Sequence, residues 1–512
     1  MLIKAPAILN KRSLFQKLWR LCCVVCFLNI SIISFPQVNH TTDLKGLDRP
    51  RRVVTLQEVT ELALANNFDI QIAKYDSLIA QTDEGVAESI YDTIINAEVG
   101  YRNNQSKPAS TLAGNKTLEN TCNFGISKKL PVGTTITGDF KNNRNWTDSS
   151  FASLNPSHDS SLGVTIEQEL GKNLLGIQDR GKVKLTKLDI ENSQYTSLDR
   201  IEASLAGVQA AYWDLALQLE RVEIEEDMVE QAKTLYDSNE QKFQNGLVEL
   251  PELLASEANY KSRINDLLLA RNLSASRENV LKLLLNIGDQ TMGIIPADAM
   301  QIDGSIEELD AALKLAFDNR RDYKEARNII EKGDIKLSME KNNLWPQINL
   351  TASLARNGVD DHFNQAVHQI AEEDNPDFYA GLKLSWHAEN TEARANLKAA
   401  KLQKAKALVS IKLLERQISI AIIDQMRLCH VSKEVAANRI NIASLQAEKL
   451  KEEEKKFKRG RSDTDTIIRF QEDLNLARLL EAEAKFRYQE ALIDLRQAEG
   501  VLLDRYWSGD NL

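Results

Sequence analysis

The side chains that could do covalent chemistry are scattered along this sequence. The six histidines, His40, His158, His362, His368, His387 and His430, show no metal-ligand spacing, and no G-x-S-x-G, phosphate-loop or dinucleotide fingerprint occurs. The chain is therefore not read as an enzyme, and no cofactor is expected. The acidic runs EIEEDMVE (223–230) and KEEEKK (451–456) read as solvated helix faces. What the sequence does offer is a contact motif written twice. KFQNGLVELPELL (242–254) returns 214 positions later as KFKRGRSDTDTII (456–468), each with Phe-x-x-Gly and two aliphatics seven and eight residues beyond the glycine. Gly246 and Gly460 reverse the chain as helix C-caps. Leu247, Val248 and Arg461 then stand at the tips, and an apolar pair exposed at the end of a hairpin invites aggregation unless a partner covers it. Asp463 and Asp465 open the following helix, where its dipole favours acids.

These tips need long arms. From Ile177 to Asn245 there is no proline, and Ile201, Val208, Leu215, Val222, Val229, Tyr236 and Phe243 recur every seven residues. A second row, Leu198, Leu205, Tyr212 and Leu219, interleaves with the first and then fails at Glu226, Lys233 and Glu240. Such a seam predicts a helix over 177–245, about 100 Å long, which must belong to an elongated assembly. A shift of 214 carries Val208 to Phe243 onto Ile422, Cys429, Ala436, Ala443, Leu450 and Phe457. The seam is thus part of an internal duplication.

The first repeat, 37–304, reads as helix 55–90 with a capping box at Thr55 and Glu58, strands within 95–170, helix 177–245, tip 246–249, return helix 250–285 and a linker, 286–304. Four strand runs are expected (95–104, 122–130, 134–142 and 161–170), with 145–161 as a polar loop. The second repeat, 305–512, reads as helix 305–344, strands within 346–387 around a polar loop, helix 389–458, tip 459–463 and return helix 464–503. In each half two helices of 35 to 40 residues, stacked end to end, would match the long one.

The first 36 residues differ. Lys4, Lys11, Arg12, Lys17 and Arg20 precede LCCVVCFLNISIISF (21–35), too short to span a bilayer, so the segment reads as a signal peptide. No A-x-A site marks a cut, and an uncleaved anchor is the alternative. Lipidation at Cys22, Cys23 or Cys26 fits less well, because no small residue precedes them. Loss of those five positive charges takes the net charge from −10 to −15, which argues against nucleic-acid binding. Cys122 and Cys429 could pair but make no disulfide framework. Few aromatics (6%), abundant charge (27%) and a mean hydropathy of −0.36 fit long helices and exclude a polytopic helical membrane protein.

The ordered set of helix, strands, long helix, Gly tip and return helix, present twice, together with TLQEVTELALANN (55–67), LWPQINLTASL (344–354) and the two F-x-x-G tips, resembles the TolC-like outer-membrane efflux factors. The resemblance spans residues 55–503. It implies an α+β membrane protein: duplicated long helical hairpins form an α-barrel tunnel, and the strand sets close a transmembrane β-barrel in a homotrimer. It also implies an outer-membrane exit duct whose helices extend into the periplasm. Its tips, here Gly246, Leu247, Val248, Gly460, Arg461 and Ser462, would dock a periplasmic adaptor (membrane fusion) protein that leads to an inner-membrane pump. The family's mouth acids fall six and nine residues after the second tip glycine, where this chain has Thr466 and Arg469. Asp463 and Asp465 are the nearby acids that could line the periplasmic mouth. The chain also departs in having four strand runs rather than two in its first half. Either the barrel has additional strands or one hairpin lies outside it. The competing reading is a periplasmic coiled-coil adaptor or scaffold with a small separate strand domain. Trp146, Trp345 and Trp386 flank strands and could form an interfacial girdle; for Trp345 and Trp386 the alternative is packing at the junction with the helices.

Overall fold

The computed structural model describes residues 50–107, 114–289, 291–302 and 307–506; the expected signal segment lies outside them. The first half contains β1 (Arg51–Val54), α1 (Leu56–Asn66), α2 (Phe68–Glu88), β2 (Thr93–Asn104), β3 (Thr117–Lys129), β4 (Thr134–Thr147), β5 (Ser157–Glu169), the 68-residue α3 (Ile177–Gln244) and α4 (Leu250–Leu284). The second contains β6 (Gly293–Pro296), α5 (Leu309–Asn319), α6 (Arg321–Asn342), β7 (Gln347–Asp360), α7 (Phe363–Glu372), β8 (Pro376–Ser385), the 68-residue α8 (Thr391–Lys458) and α9 (Thr464–Glu499).

The duplication is written in backbone geometry as well as in sequence. Left-handed residues stand 214 apart at three matched places: Gly176 and Asn390 open the long helices, Gly246 and Gly460 end them, and Asn286 and Gly500 end the return helices. The helix breaks Asn67 and Arg320, however, lie 253 apart, 39 more than 214. That excess falls between opening helix and long helix, where the first half has four strands and the second has two.

Neither opening helix is continuous, contrary to the reading of 55–90 and 305–344 as single helices. Asn67 and Arg320 have extended ψ values of 130° and 125°. Each break meets the end of a return helix. Asn67 Oδ1 accepts from the Ile70 amide (3.1 Å), capping α2, while Asn67 Nδ2 donates to the Leu284 carbonyl (2.8 Å), closing α4. Arg320 donates to the Ala498 carbonyl near the end of α9 (2.9 Å) and grips Asp322 through two hydrogen bonds. The paired helices thus abut with these backbone groups satisfied; together they run along most of α3 or α8 but stop short of its full length, because the breaks take α1 and α5 out of the rods.

Around these joints sits an apolar equator. Tyr212, fully buried on α3, donates to Asp298 Oδ2 (2.7 Å), which also accepts the Leu56 amide (2.7 Å). The linker 286–304 is not plain loop: its β6 pairs in parallel with β1, and Val54 and Ile294 enter the same core as Val59, Leu215 and Leu281. The expected seam holds on α8 from Ile422 through Cys429, Ala436 and Ala443 to Leu450, all buried, while Phe457 near the tip is half-buried. On α3 it holds through Ile201, Val208 and Leu215; beyond that Val222, Val229 and Tyr236 are only half-buried, and Ile224, Met228, Ala232 and Leu235 take over. The helix there serves two partners. Tyr236 stacks on Tyr260 of α4 (6.1 Å), while Met228 meets Leu450 and Leu474 of α8 and α9. Cys122 and Cys429 are both free, and burial against α9 pushes the Cys429 thiol up to about 11, so they form no bridge.

All the long strands form one antiparallel sheet in the order β2-β3-β4-β5-β7-β8. The hairpin in question is therefore inside the sheet. The loop expected at 145–161 shrinks, because β4 reaches Thr147 and β5 starts at Ser157. The polar loop between β7 and β8 contains α7, whose buried Ala366 and Ile370 lie on the sheet; a Cβ at Gly358 would meet the Ala366 carbonyl. Within one chain the sheet does not close, and β2 and β8 are its edges.

The joints give a direct test. Asn67→Ala removes the α2 cap and leaves the Leu284 carbonyl unpaired, an expected loss of about 1–3 kcal/mol. Hydrogen exchange at the start of α2 and the end of α4 should accelerate while the tips stay unchanged.

Candidate functional site

Both tips close as the sequence spacing dictates. At the first, the Gly246 amide (φ +69°) donates to the Phe243 carbonyl (2.9 Å) and the Leu247 amide to that of Lys242 (2.8 Å). At the second, the Gly460 amide (φ +68°) donates to Phe457 and the Arg461 amide to Lys456, each at 3.0 Å. This double bond is the Schellman arrangement, which needs a residue at positive φ and so favours glycine. The phenylalanine of each F-x-x-G supplies the carbonyl that the glycine amide takes. Leu247 is 73% exposed, Val248 and Ser462 are half-buried, and Arg461 is exposed.

The structure brings the two tips together through residues the sequence did not single out. Thr464, buried at the start of α9, accepts from Asn239 Nδ2 of α3 and donates to Glu252 of α4, both at 3.1 Å. Lys242 Nζ stands 3.9 Å from the centre of the Phe457 ring. Further along the rods polar contacts flank the Met228 cluster: Asn475 donates to Glu225 (3.3 Å), and Arg478 pairs with Asp227 (2.9 Å). Interleaved charges on a heptad helix were the available signal, but they do not name their partners. Asp463 caps α9 by accepting the Thr466 amide (2.7 Å), and that bond holds its carboxyl below the usual range. Asp465 is exposed in the first turn.

At the ends of the long helices away from the tips, the sheet is two-faced. Alternation and register put Ile95, Val99 and Tyr101 of β2 on one face with Phe124, Phe140, Leu162, Leu354, and Phe378, Leu382 and Leu384 of β8. The opposite face carries Glu98, Arg102, Asp139, Lys141, Asn357 and Lys383. In the single chain the apolar face is open, with Val99 86% exposed. Trp345 and Trp386 stand exposed where the sheet meets the helices. Trp146 lies toward the opposite rim, beside Leu118 on the apolar face. The same face carries α7 near that rim, with His158 edge-on to Phe363 (5.9 Å). No helix among the described residues is long and apolar enough to cross a membrane.

A polar cavity lies at the equator between α3, α6 and the end of α9. Arg321, buried, reaches Glu202 (2.6 Å), Asp199 (3.5 Å) and Asp504 (3.6 Å). Burial pushes Asp199 up to about 6 despite Arg321, with Asp322 and Glu202 adding to the rise. Burial and then Glu307 push Glu499 up to about 7, against the opposing effect of Arg505 and Arg496. Asp360, Asp361 and His362 also gather at the end of β7. There Asp360 accepts the His362 amide (3.0 Å) and Asp361 holds the imidazole (2.6 Å), a turn with its own acids as partners.

Neither a protein-family profile nor a curated protein sequence matches the chain. Solved structures do. They include the Campylobacter jejuni CmeC outer membrane channel (TM-score 0.60, 16% identity, over 87% of this chain and 85% of that one). CusC, from a study of its transmembrane channel formation, matches with TM-score 0.65 and 13% identity over 89% and 97%. The open state of the Neisseria gonorrhoeae MtrE outer membrane channel matches with TM-score 0.62 and 16% identity over 87% and 88%. The chain has the fold of the TolC-like outer-membrane channels.

The equatorial acids set a pH dependence. Between about pH 4 and pH 7 the folded chain holds protons on Asp199 and Glu499 that the unfolded chain has released, so stability falls as pH rises through that window. The thermal midpoint in detergent should be higher at pH 5 than at pH 8. Asp199→Asn with Glu499→Gln should flatten the difference.

Proposed function

We propose that this protein is the outer-membrane exit duct of a tripartite efflux or secretion system: a passive homotrimeric channel-tunnel with its sheet in the outer-membrane lipid and its helices in the periplasm. The observation that carries this reading is the two-faced sheet, apolar on one side and charged on the other, right out to both edge strands. Lipid offers no partners for backbone groups, so a sheet immersed in it must close on itself or on copies of itself. The charged face then lines water. The helical rods carry half-buried apolar rows that neighbouring copies would cover, and the fold shared with outer membrane channels agrees. An adaptor or scaffold would have no use for an apolar sheet face of this extent.

In this reading Gly246, Leu247, Val248, Gly460, Arg461 and Ser462 form the surface that a periplasmic adaptor engages, linking the duct to an inner-membrane pump that supplies the energy. Leu247 is the exposed apolar anchor, and the hydrogen-bonded Asn239–Thr464–Glu252 contact lets the two tips move as a pair. Polar contacts between the hairpins suit a mouth that opens, since water can replace each hydrogen bond when it parts. Asp463 and Asp465 from three copies would line that mouth.

Fractionation tests the duct. The protein should appear in the outer membrane as trimers that persist in detergent until boiled, and release by osmotic shock would refute the assignment. With trimers intact, bulky replacements at Gly246 and Gly460 should abolish export; retained export would remove the docking surface. In planar bilayers Asp463→Asn with Asp465→Asn should reduce cation selectivity, and an unchanged reversal potential would remove these acids from the mouth.

A further inference from the structure

The six-stranded sheet carries its own instructions for closure. On β2 the apolar belt runs from Ile95 to Tyr101; on β8 it runs from Phe378 to Leu384. Perpendicular to the strands, the row through Phe378 passes Leu354, Val164, Gly138 and Ile126 to arrive at Ile95. The far end of the belt on β8 is thus level with the near end of the belt on β2. The belt slips six residues along the strands as it crosses six strands. A belt lying flat in a membrane slips this way only if the strands are tilted. Six residues are about 20 Å, and six strand spacings, the five inside the sheet and the one that would close it, are about 29 Å, which gives a tilt of about 35°, inside the range of closed barrels.

We propose that this chain closes a barrel of eighteen strands, six from each of three copies, by pairing β8 of one copy with β2 of the next, Ala380 opposite Val99. The proposal rests on the trimeric duct reading and adds what that reading leaves open: the fate of the additional hairpin, the interface and its register. Three observations converge on it. Six is even, so β8 meets the neighbouring β2 antiparallel and the alternation continues around the ring. The six-residue offset sets all ten residues of β8 against Ile94–Asn103, whereas closure without it would leave half of β8 beyond the start of β2. The side chains also agree on both faces. Phe378, Leu382 and Leu384 face Tyr101, Ala97 and Ile95, while on the charged face Asp377 faces Arg102, Tyr379 faces Gly100, and Lys383 lies diagonal to Glu98. In the single chain neither Asp377 nor Arg102 has an ion-pair partner among the described residues. Opposite charges and aromatic or branched pairs are what stabilise adjacent strands. At this tilt and spacing the barrel would measure about 34 Å between backbones, against about 22 Å for twelve strands.

Paired cysteines test the edge in a Cys122→Ser background. Ala97→Cys with Leu382→Cys, oxidised in membranes, should give a covalent trimer that survives boiling and falls to monomer on reduction. If unboiled trimers form but neither this pair nor its neighbours Ile95→Cys or Val99→Cys with Leu382→Cys cross-link, the proposal is overturned and the duct reading stands. A cross-link between Leu382→Cys and Gly138→Cys of β4 would equally overturn it, because the β2–β3 hairpin would then lie outside the barrel. Absence of any trimer in the Cys122→Ser parent would defeat both readings. For the register, Asp377→Arg should lower the temperature at which trimers dissociate and Arg102→Asp should restore it in the same chain; failure to restore would overturn the assigned pairing.

Discussion

A helix of 68 residues needs a partner along about 100 Å; α3 and α8 do not lie against each other along their length, and every other helix among the described residues is much shorter. Two shorter helices must therefore meet halfway, and their ends bring unpaired amides and carbonyls to the middle of the rod. The architecture depends on satisfying those groups. In the first half one asparagine does it, accepting from the helix that begins and donating to the helix that ends. In the second half an arginine does it with the help of an acid. Different side chains perform the same task at matched places, so the duplication is held by a geometric requirement more than by residue identity. The small β1–β6 pair and the Tyr212–Asp298 contact gather at the same level, where the apolar core is deepest.

From that level outward the character of the contacts changes. Near the joints α3 buries Ile201, Leu205, Val208 and Tyr212; toward the tips it meets the other hairpin through Glu225, Asp227 and Asn239. A rod with a large apolar core at its middle and, toward its end, only the small Met228–Leu450–Leu474 cluster among polar contacts is firmly held at one place and more easily rearranged at the other, because stability varies with the local density of buried apolar contacts. In the proposed duct a mouth formed by the tips could then move without disturbing the sheet, which lies beyond the equator.

Sequence pattern located what repeats over many residues and missed what depends on a single partner. The seam on α8 is legible because that helix buries one continuous row from Ile422 to Leu450. On α3 the same periodic row continues past Leu215 but turns toward α4, while Ile224 and Met228 take up the packing against the other hairpin. Period reports that a face is apolar; it does not report which of two neighbours the face meets. The breaks at Asn67 and Arg320 carry neither glycine nor proline; only the capping asparagine is a local signal for the first, and Arg320 gives none for the second. Each exists because a return helix ends beside it. Four-residue strands such as β1 and β6 are too short for alternation to register, and α7 is a three-turn helix in what composition describes as a polar loop. At the tips the F-x-x-G signal was complete, because a Schellman closure is local. The threonine that joins the two tips was silent, because its partners lie 225 and 212 positions away.

The additional hairpin bears on how a sheet and a set of helices can share one axis. In the proposed trimer each copy would contribute four rods: α3, α2 with α4, α8, and α6 with α9. Helices pack at about 8–10 Å, so four rods occupy about 32–40 Å of circumference. Strands at about 4.8 Å and a tilt of about 35° occupy about 6 Å each, so four would cover about 23 Å and six about 35 Å. With six strands the ring of strands and the ring of helices have nearly the same perimeter. The chain can pass from one to the other without the helices converging, as Gly171 to Gly176 and Trp386 to Asn390 do here in a few residues. In the proposed trimer the 39 residues by which the first half exceeds the second would widen the barrel while leaving the length of the rods, the joints at their middle and the spacing of the tips untouched.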